Sequence, residues 1–431
     1  MAKIISLKAF DIRFPTSKQS DGSDAMNPNP DYSSAYCILK TDHEKKLEGH
    51  GMTFTIGRGN DLCVEAIRLL EPFIVGQNLN NLKNDLGPIW RKMTDDSHLR
   101  WLGPHKGVIH LAIAAVMNAV WDLVAKLHEK PVWELLSKME SEEIINLVNW
   151  KYISDEIKPE EAKKHLEKTL SGVDSKIEYI KKNGYPAYTT STGWIGYKDE
   201  KIKLLLKDAI SKGWNYFKMK VGSGLDNDIR RSKMIREIIG PNRYLMMDAN
   251  QAWGVDEAIE NMKVLSKFKP AWIEEPTSPD DILGHAKIAR ELKNIPVATG
   301  EHCHNAVMFK QFMQAKAMQV CQLDSCRLAS INEIIAVLLL AWKFNIKVCP
   351  HAGGVGLCEY VQHISMFDFT RISNSTEGKV LEYIDHLHEH FVDPVVVKNG
   401  FYQAPTQPGY SIQMKKETLQ DYNFQTGKIW N

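Results

Sequence analysis

Residues 216–250 read YFKMKVGSGLDNDIRRSKMIREIIGPNRYLMMDAN, and this stretch carries one complete strand, helix and strand cycle. An alternating run over 216–221 contains Lys220. A turn, Gly222-Ser-Gly224, then opens an amphipathic helical pattern over 229–239, and a second apolar run, 245–247, leads to Asp248. Working outward, the cycle repeats. Glu274, Glu301, Asp324 and His351 lie at or near the ends of apolar runs at 271–273, 295–298, 319–323 and 346–349, with helical patterns at 255–268 and 332–344 between them. The six residues are separated by 28, 26, 27, 23 and 27 positions. Charged residues recurring at strand ends with this period are what consecutive βα units of a barrel produce, all converging on one mouth. Strand candidates from 187–192 to 380–384 number eight. The expected fold is α/β: a modified (β/α)8 (TIM) barrel with an α+β capping domain.

The capping domain is expected over 1–135, from strands at 4–14, 35–41 and 49–56 and helices at 61–75, 80–92 and 107–126. A polar stretch, 16–32, separates the first two strands and is long enough to serve as a lid. The barrel domain is expected over 136–399, with a charged helical insert, 156–183, that reads as an elaboration of the barrel entrance. The tail 400–431, with Pro405, Pro408 and Gly409, leaves the barrel pattern and is expected to return to the capping domain.

With 54 Lys and Arg against 53 Asp and Glu, the net charge is +1, so no broad field favours nucleic acid or an anionic membrane. The longest apolar stretch, 108–124, is broken by His110, Asn118 and Asp122 and predicts a buried helix. Seven scattered cysteines fit a reducing compartment, and residues 1–14 alternate like a strand rather than a signal core. A soluble enzyme of the cytoplasm, or of the mitochondrial matrix, is the expectation.

Strand alternation sends Lys218 and Lys220 to one face and Phe217, Met219 and Val221 to the other. Two lysines facing a barrel interior are costly unless anions compensate. Asp248, Glu274 and Glu301 supply such anions, and as three hard oxygen donors from successive strand ends they suit Mg2+. Each carboxylate alone could cap a helix, but three in register with the lysines strain that reading. The pair Glu274-Glu275 leaves open which of the two points inward. His351 precedes the turn Gly353-Gly-Val-Gly356, and Asp324, one strand earlier, could hold its imidazole as an acid/base. A zinc set built on Glu301-His-Cys-His304 with Cys321 and Cys326 lacks ligand spacing and leaves the lysines unexplained. His386, His388 and His390 read as structural or partly exposed.

The longer motifs are Asp24-Ala-Met26, Pro30-Asp-Tyr32, Arg100-Trp-Leu-Gly-Pro104, Tyr185-Pro-Ala-Tyr-Thr-Thr190, Met247-Asp-Ala-Asn-Gln251, Gly300-Glu-His-Cys-His-Asn305 and the runs 272–285 and 349–359. With them the chain resembles the enolase superfamily, in its mandelate racemase branch, and within that the L-fuconate dehydratases. The resemblance implies Asp248, Glu274 and Glu301 as Mg2+ ligands, which selects Glu274 over Glu275. It implies Lys220 as base, Lys218 beside the substrate carboxylate, and His351 supported by Asp324 as second acid/base. Asn250, Glu382, Ser23, Asp24, Ala25 and Tyr32 are implied substrate contacts, and a homo-oligomer is implied as the assembly.

The implied reaction is α-proton abstraction from an acid sugar to a Mg2+-stabilised enediolate, followed by loss of the 3-hydroxyl: L-fuconate to 2-keto-3-deoxy-L-fuconate and water. Mg2+ and Lys218 are expected to lower the pKa of Lys220 and so provide some neutral amine near pH 7. Dehydration of another acid sugar, and racemisation or epimerisation, are the nearest rivals. A catalytically silent barrel with a binding role would not be expected to keep all seven chemical positions.

Overall fold

The computed structural model describes residues 2–431. Three antiparallel strands, β1 (Ile4–Arg13), β2 (Ser33–Thr41) and β3 (Glu48–Thr55), form a sheet in that order. The helix Gly107–Leu127 packs on it, and most of its length is buried. The approach is close enough that a Cβ on Gly51 would meet the Ala115 carbonyl oxygen at 2.2 Å, so glycine is required on that face of β3. The apolar stretch is thus the central helix of the capping unit. Two expected helices are each broken in two: Asn60–Leu69 and Glu71–Ile74 meet at Pro72, and Leu79–Asn84 and Gly87–Thr94 meet near Pro88. Proline at the first turn starts a helix but cannot continue one.

The second unit holds eight parallel strands: β4 (Tyr185–Thr189), β5 (Tyr216–Lys220), β6 (Tyr244–Asp248), β7 (Pro270–Glu274), β8 (Val297–Thr299), β9 (Val320–Cys321), β10 (Lys347–Val348) and β11 (Leu381–Tyr383). Each of β4 to β9 pairs with the next, and β11 pairs with β4. Val380, leading into β11, brings its N–H to 3.5 Å from the Cys349 sulfur beside β10. Tyr188, Met246, Trp272, Ala298, Val320, Cys349 and Val380 form a separate buried cluster, to which nearly every strand contributes, and this fills the barrel interior.

The barrel departs from eightfold repetition at its end. A helix follows each of β4 to β10, but after β11 the chain turns through Asn399-Gly400, both at positive φ, into a hairpin of β12 (Val397–Lys398) and β13 (Phe401–Tyr402). That hairpin pairs antiparallel with the start of β4. The tail then runs to the first sheet, where Phe424 N–H donates to the Asp11 carbonyl at 2.9 Å and Arg13 N–H to the Tyr422 carbonyl at 3.1 Å.

The insert folds as helices Pro159–Leu170 and Val173–Asn183, separated at Gly172. It does not elaborate the entrance. Both helices pack against the π-helical turn Asp368–Ser373, which leads toward the N-terminal end of β11 and so lies away from the mouth. Buried Arg371 fixes this contact, donating to the carbonyls of Ser137 at 2.9 Å and Met139 at 2.6 Å, with the Leu166 carbonyl at 3.4 Å.

Candidate active site

Register assembles the centre. Lys220 pairs with Asp248 across β5 and β6, and Asp248 with Glu274 across β6 and β7, so the three stand level at the C-terminal ends of their strands. Oxygens of Asp248, Glu274 and Glu301 lie within 4.8 Å of one another. The lysines are their counter-ions. Lys218 Nζ sits 2.6 Å from Glu274 Oε1, 2.7 Å from Glu382 Oε1 and 3.3 Å from Asp248 Oδ2, while Lys220 Nζ donates to Asp248 Oδ2 at 2.6 Å.

Burial opposes the Lys220 ammonium, but among the protein's own charges the Asp248, Asp24 and Glu301 carboxylates together outweigh it and hold it above the ordinary lysine range. Glu274 is pushed up to about 8 by burial and by the neighbouring carboxylates, and Asp248 is held below the carboxylate range by both lysines despite its burial.

On the facing side, His351 Nδ1 lies 2.8 Å from Asp324 Oδ2, and Gly353 N–H reaches Nε2 at 3.2 Å. Burial opposes the imidazolium, but Glu301, Asp324 and Glu382 raise His351 to about 10. Asp324 is anchored in turn by the backbone N–H groups of Cys326 and Arg327. Glu382 accepts from Ala352 N–H at 2.8 Å.

A cavity of about 270 Å3 brings Lys220, Asn250, Glu301, Asp324, His351 and Glu382 together with Asp24 and Tyr32 of the capping loop. Lys218, Asp248 and Glu274 are fully buried and do not line it. Ser23 and Ala25 do not line it either. The Ser23 hydroxyl is spent within the fold, donating to the Ser20 carbonyl and accepting from Gly196 N–H, so it anchors the loop instead of offering a contact. Asp24 turns the loop, accepting from the N–H groups of Met26 and Asn27. Phe54 of β3 reaches the mouth because Gly354 carries no Cβ, which would lie 2.2 Å from its ring.

Several lining residues carried no signal in the spacing: Thr190, Trp194, His302, Arg327, and from the capping unit Phe54, Ile56 and Leu111. Arg327 lies three residues after Asp324, and His302 is adjacent to Glu301, where the sequence suggests it only as a zinc ligand. The zinc set does not assemble among the described residues. His302 pairs with Glu275, His304 approaches Asp280 at 3.7 Å, and all seven cysteines are buried and free.

The donor set fits a hard divalent cation: three carboxylates converge, and only two lysines, Lys218 and Lys220, pair with them. Beside them, Asn250 Oδ1 and Thr190 Oγ1, both on the cavity wall, are buried without a protein partner.

Residues 31–137 match the mandelate racemase/muconate lactonizing enzyme N-terminal domain, and residues 201–418 match the enolase C-terminal domain-like family. The chain is 52% identical to mitochondrial enolase superfamily member 1 of Xenopus laevis, over 99% of this chain and 97% of the relative. It is 50% identical to L-galactonate dehydratase of Hypocrea jecorina, covering 98% and 94%. The crystal structure of human mitochondrial enolase superfamily member 1 superposes with a TM-score of 0.98 at 50% identity, covering 100% of this chain and 98% of that one. With both domains matched and relatives this similar along almost its whole length, the chain belongs to the enolase superfamily, in its mandelate racemase/muconate lactonizing enzyme branch.

Proposed function

We propose that this enzyme is a Mg2+-dependent acid-sugar dehydratase whose substrate is L-fuconate. The observation that carries the reaction type is the placement of Lys220 and His351 on one cavity, each tied to a carboxylate, Asp248 and Asp324, with oxygens of Asp248, Glu274 and Glu301 clustered within 4.8 Å of one another. Asp248, Glu274 and Glu301 would hold Mg2+, which when bound neutralises their charge and favours negative charge on the substrate carboxylate. With the carboxylates' charge neutralised, Lys220 can lose its own proton, and as the neutral amine it removes the proton α to the substrate carboxylate. Lys218 remains the fixed cation beneath the site, held by Glu274 and Glu382. His351, oriented by Asp324, gives its proton from Nε2 to the departing 3-hydroxyl, so the two groups work on opposite sides of the carbon chain.

The choice of substrate rests on the far wall. Phe54, Ile56 and Leu111 present apolar surface to the cavity, which suits the methyl end of a 6-deoxy acid. L-galactonate differs from L-fuconate by a hydroxyl at that carbon, and the similarity to an L-galactonate dehydratase makes it the second reading. The names of the similar relatives support the matrix over the cytoplasm. Assembly from identical copies belongs to the same reading.

Incubation with each acid and Mg2+ in deuterated water, followed by NMR, tests it. A 2-keto-3-deoxy acid is expected, formed faster from L-fuconate. Exchange or inversion at the α-carbon without loss of water would make the enzyme a racemase or epimerase, and inertness toward acid sugars would remove the dehydratase reading.

A further inference from the structure

Immediately beyond the carboxylate cradle, the same three strand ends build a second tier. Gln251 follows β6, Glu275 follows β7, and His302 follows β8. The backbone turns left-handed at Asn250 (φ 43°), Gln251 (φ 69°) and Glu275 (φ 39°), a region uncommon for non-glycine residues other than Asn, Asp and His. The turn at Glu275 breaks strand alternation, which is why Glu274 and Glu275 are both buried. Gln251 N–H donates to the Glu275 carbonyl at 2.7 Å, Gln251 Nε2 donates to Glu275 Oε2 at 2.9 Å, and Glu275 Oε1 holds His302 Nδ1 at 2.8 Å. The carboxylate is fully buried, while the imidazole stands on the cavity wall with 34% of its side chain exposed.

We propose that His302, aimed by Glu275 and Gln251, binds the hydroxyl on the substrate carbon next to the carboxylate and thereby selects 2-hydroxy acids. The inference rests on the acid-sugar reading above. Nδ1 is committed to Glu275, with Gln251 Nε2 also 2.9 Å from it, and Nε2, approached by the same amide nitrogen only at 3.5 Å, is the ring atom available to a ligand. A sugar hydroxyl can donate to it or accept from it, so the contact survives either ring state. Its place follows from the chain: His302 is adjacent to Glu301, with Nδ1 3.6 Å from Glu301 Oε1, so it flanks the end of the cavity where the cradle faces the carboxylate. The arrangement repeats the His351 and Asp324 pair in form, but it binds and transfers no proton.

Calorimetric titration with Mg2+ present tests this with two probes that cannot lose water: 3-deoxy-L-fuconate and its 2,3-dideoxy counterpart. The unmodified enzyme should bind the first about tenfold more tightly, the range of one hydrogen bond to a well-placed group. His302→Ala should bind both alike, and Glu275→Gln should reduce the preference. His302→Gln, which keeps a hydrogen-bonding group, should retain part of it and serves if the alanine variant does not fold. Mg2+ affinity, titrated separately, should be unchanged in His302→Ala. Retention of the full preference by His302→Ala overturns the inference. So does a loss of Mg2+ affinity that weakens both probes equally, which would make His302 a support of Glu301. If neither probe binds the unmodified enzyme, the acid-sugar reading fails and this inference fails with it.

Discussion

His351 gives its Nδ1 to Asp324 Oδ2 at 2.8 Å across the ends of two neighbouring strands, and this leaves Nε2 directed toward the cavity. The carboxylate therefore sets both ring orientation and tautomer. In Asp324→Asn the amide can present an N–H to Nδ1 and favour the wrong tautomer. The turnover number should fall by roughly two to four orders of magnitude, with KM changed far less. Steady-state dehydration kinetics check this, and an unchanged turnover number would dissociate Asp324 from the acid.

Lys220 and His351 separate by a second measurement. Lys220→Ala should lose both dehydration and α-proton exchange with deuterated solvent. His351→Asn should lose dehydration while still exchanging that proton, because the base is intact. NMR of the recovered acid sugar reads both. If His351→Asn abolished exchange and Lys220→Ala spared it, the two roles would have to be transposed.

The cradle predicts a linkage between metal and stability. At about one hundred times its dissociation constant, Mg2+ should stabilise the fold by about 2.7 kcal/mol. Chelation should remove that increment, and Glu301→Gln should abolish most of it. Thermal unfolding with and without Mg2+ is the check. An identical increment in Glu301→Gln would place the cation elsewhere.

How far the sequence discloses this architecture differs by region, for physical reasons. The level stand of Lys220, Asp248 and Glu274 follows from strand period and βα repeat length, both written in the chain. The burial of both Glu274 and Glu275 depends on a left-handed turn at a glutamate, which no propensity would predict. The missing last helix was signalled locally by Asn399-Gly400 after a valine run, a hairpin signature that the expectation of a barrel repeat obscured. Phe54, Ile56 and Leu111 reach the cavity by tertiary approach alone, and Ser23 lies near it yet spends its hydroxyl on the loop. The raised Lys220 depends on Asp248 at matched register, which strand period discloses, and on Asp24, which arrives from the capping loop by tertiary approach.

Arg371 ties the insert to the barrel without a carboxylate partner among the described residues. Its guanidinium donates to backbone carbonyls on two sides and is lowered to about 10 by burial. Arg371→Met keeps the volume but strands those buried acceptors, so a loss of about 2–4 kcal/mol is expected. Urea unfolding measures it. A loss below 0.5 kcal/mol, typical only of surface positions, would show that water replaces the guanidinium there.

Acid sensitivity should trace in part to His363. The ring is fully buried, with Nδ1 accepting from Trp133 N–H at 3.2 Å and Nε2 3.1 Å from the Ser411 hydroxyl, which donates to Asp393. Burial lowers its pKa to about 3, whereas the unfolded chain titrates near 6.5. The unfolded state therefore binds more protons between these values, and stability rises with pH across that window. The contribution is whole above about pH 6.5, erodes as pH falls, and is lost as pH approaches 3. At pH 5 the erosion amounts to about 2 kcal/mol. His363→Asn can still accept from Trp133 N–H but cannot titrate. It should be less stable than the unmodified enzyme at pH 7.5, yet lose about 2 kcal/mol less on going to pH 5. The difference between the two pH slopes isolates His363, because every other titrating group is common to both proteins. Parallel slopes would mean that the ring is protonated in the folded state, with Asp393 through Ser411 as the nearest source of compensation.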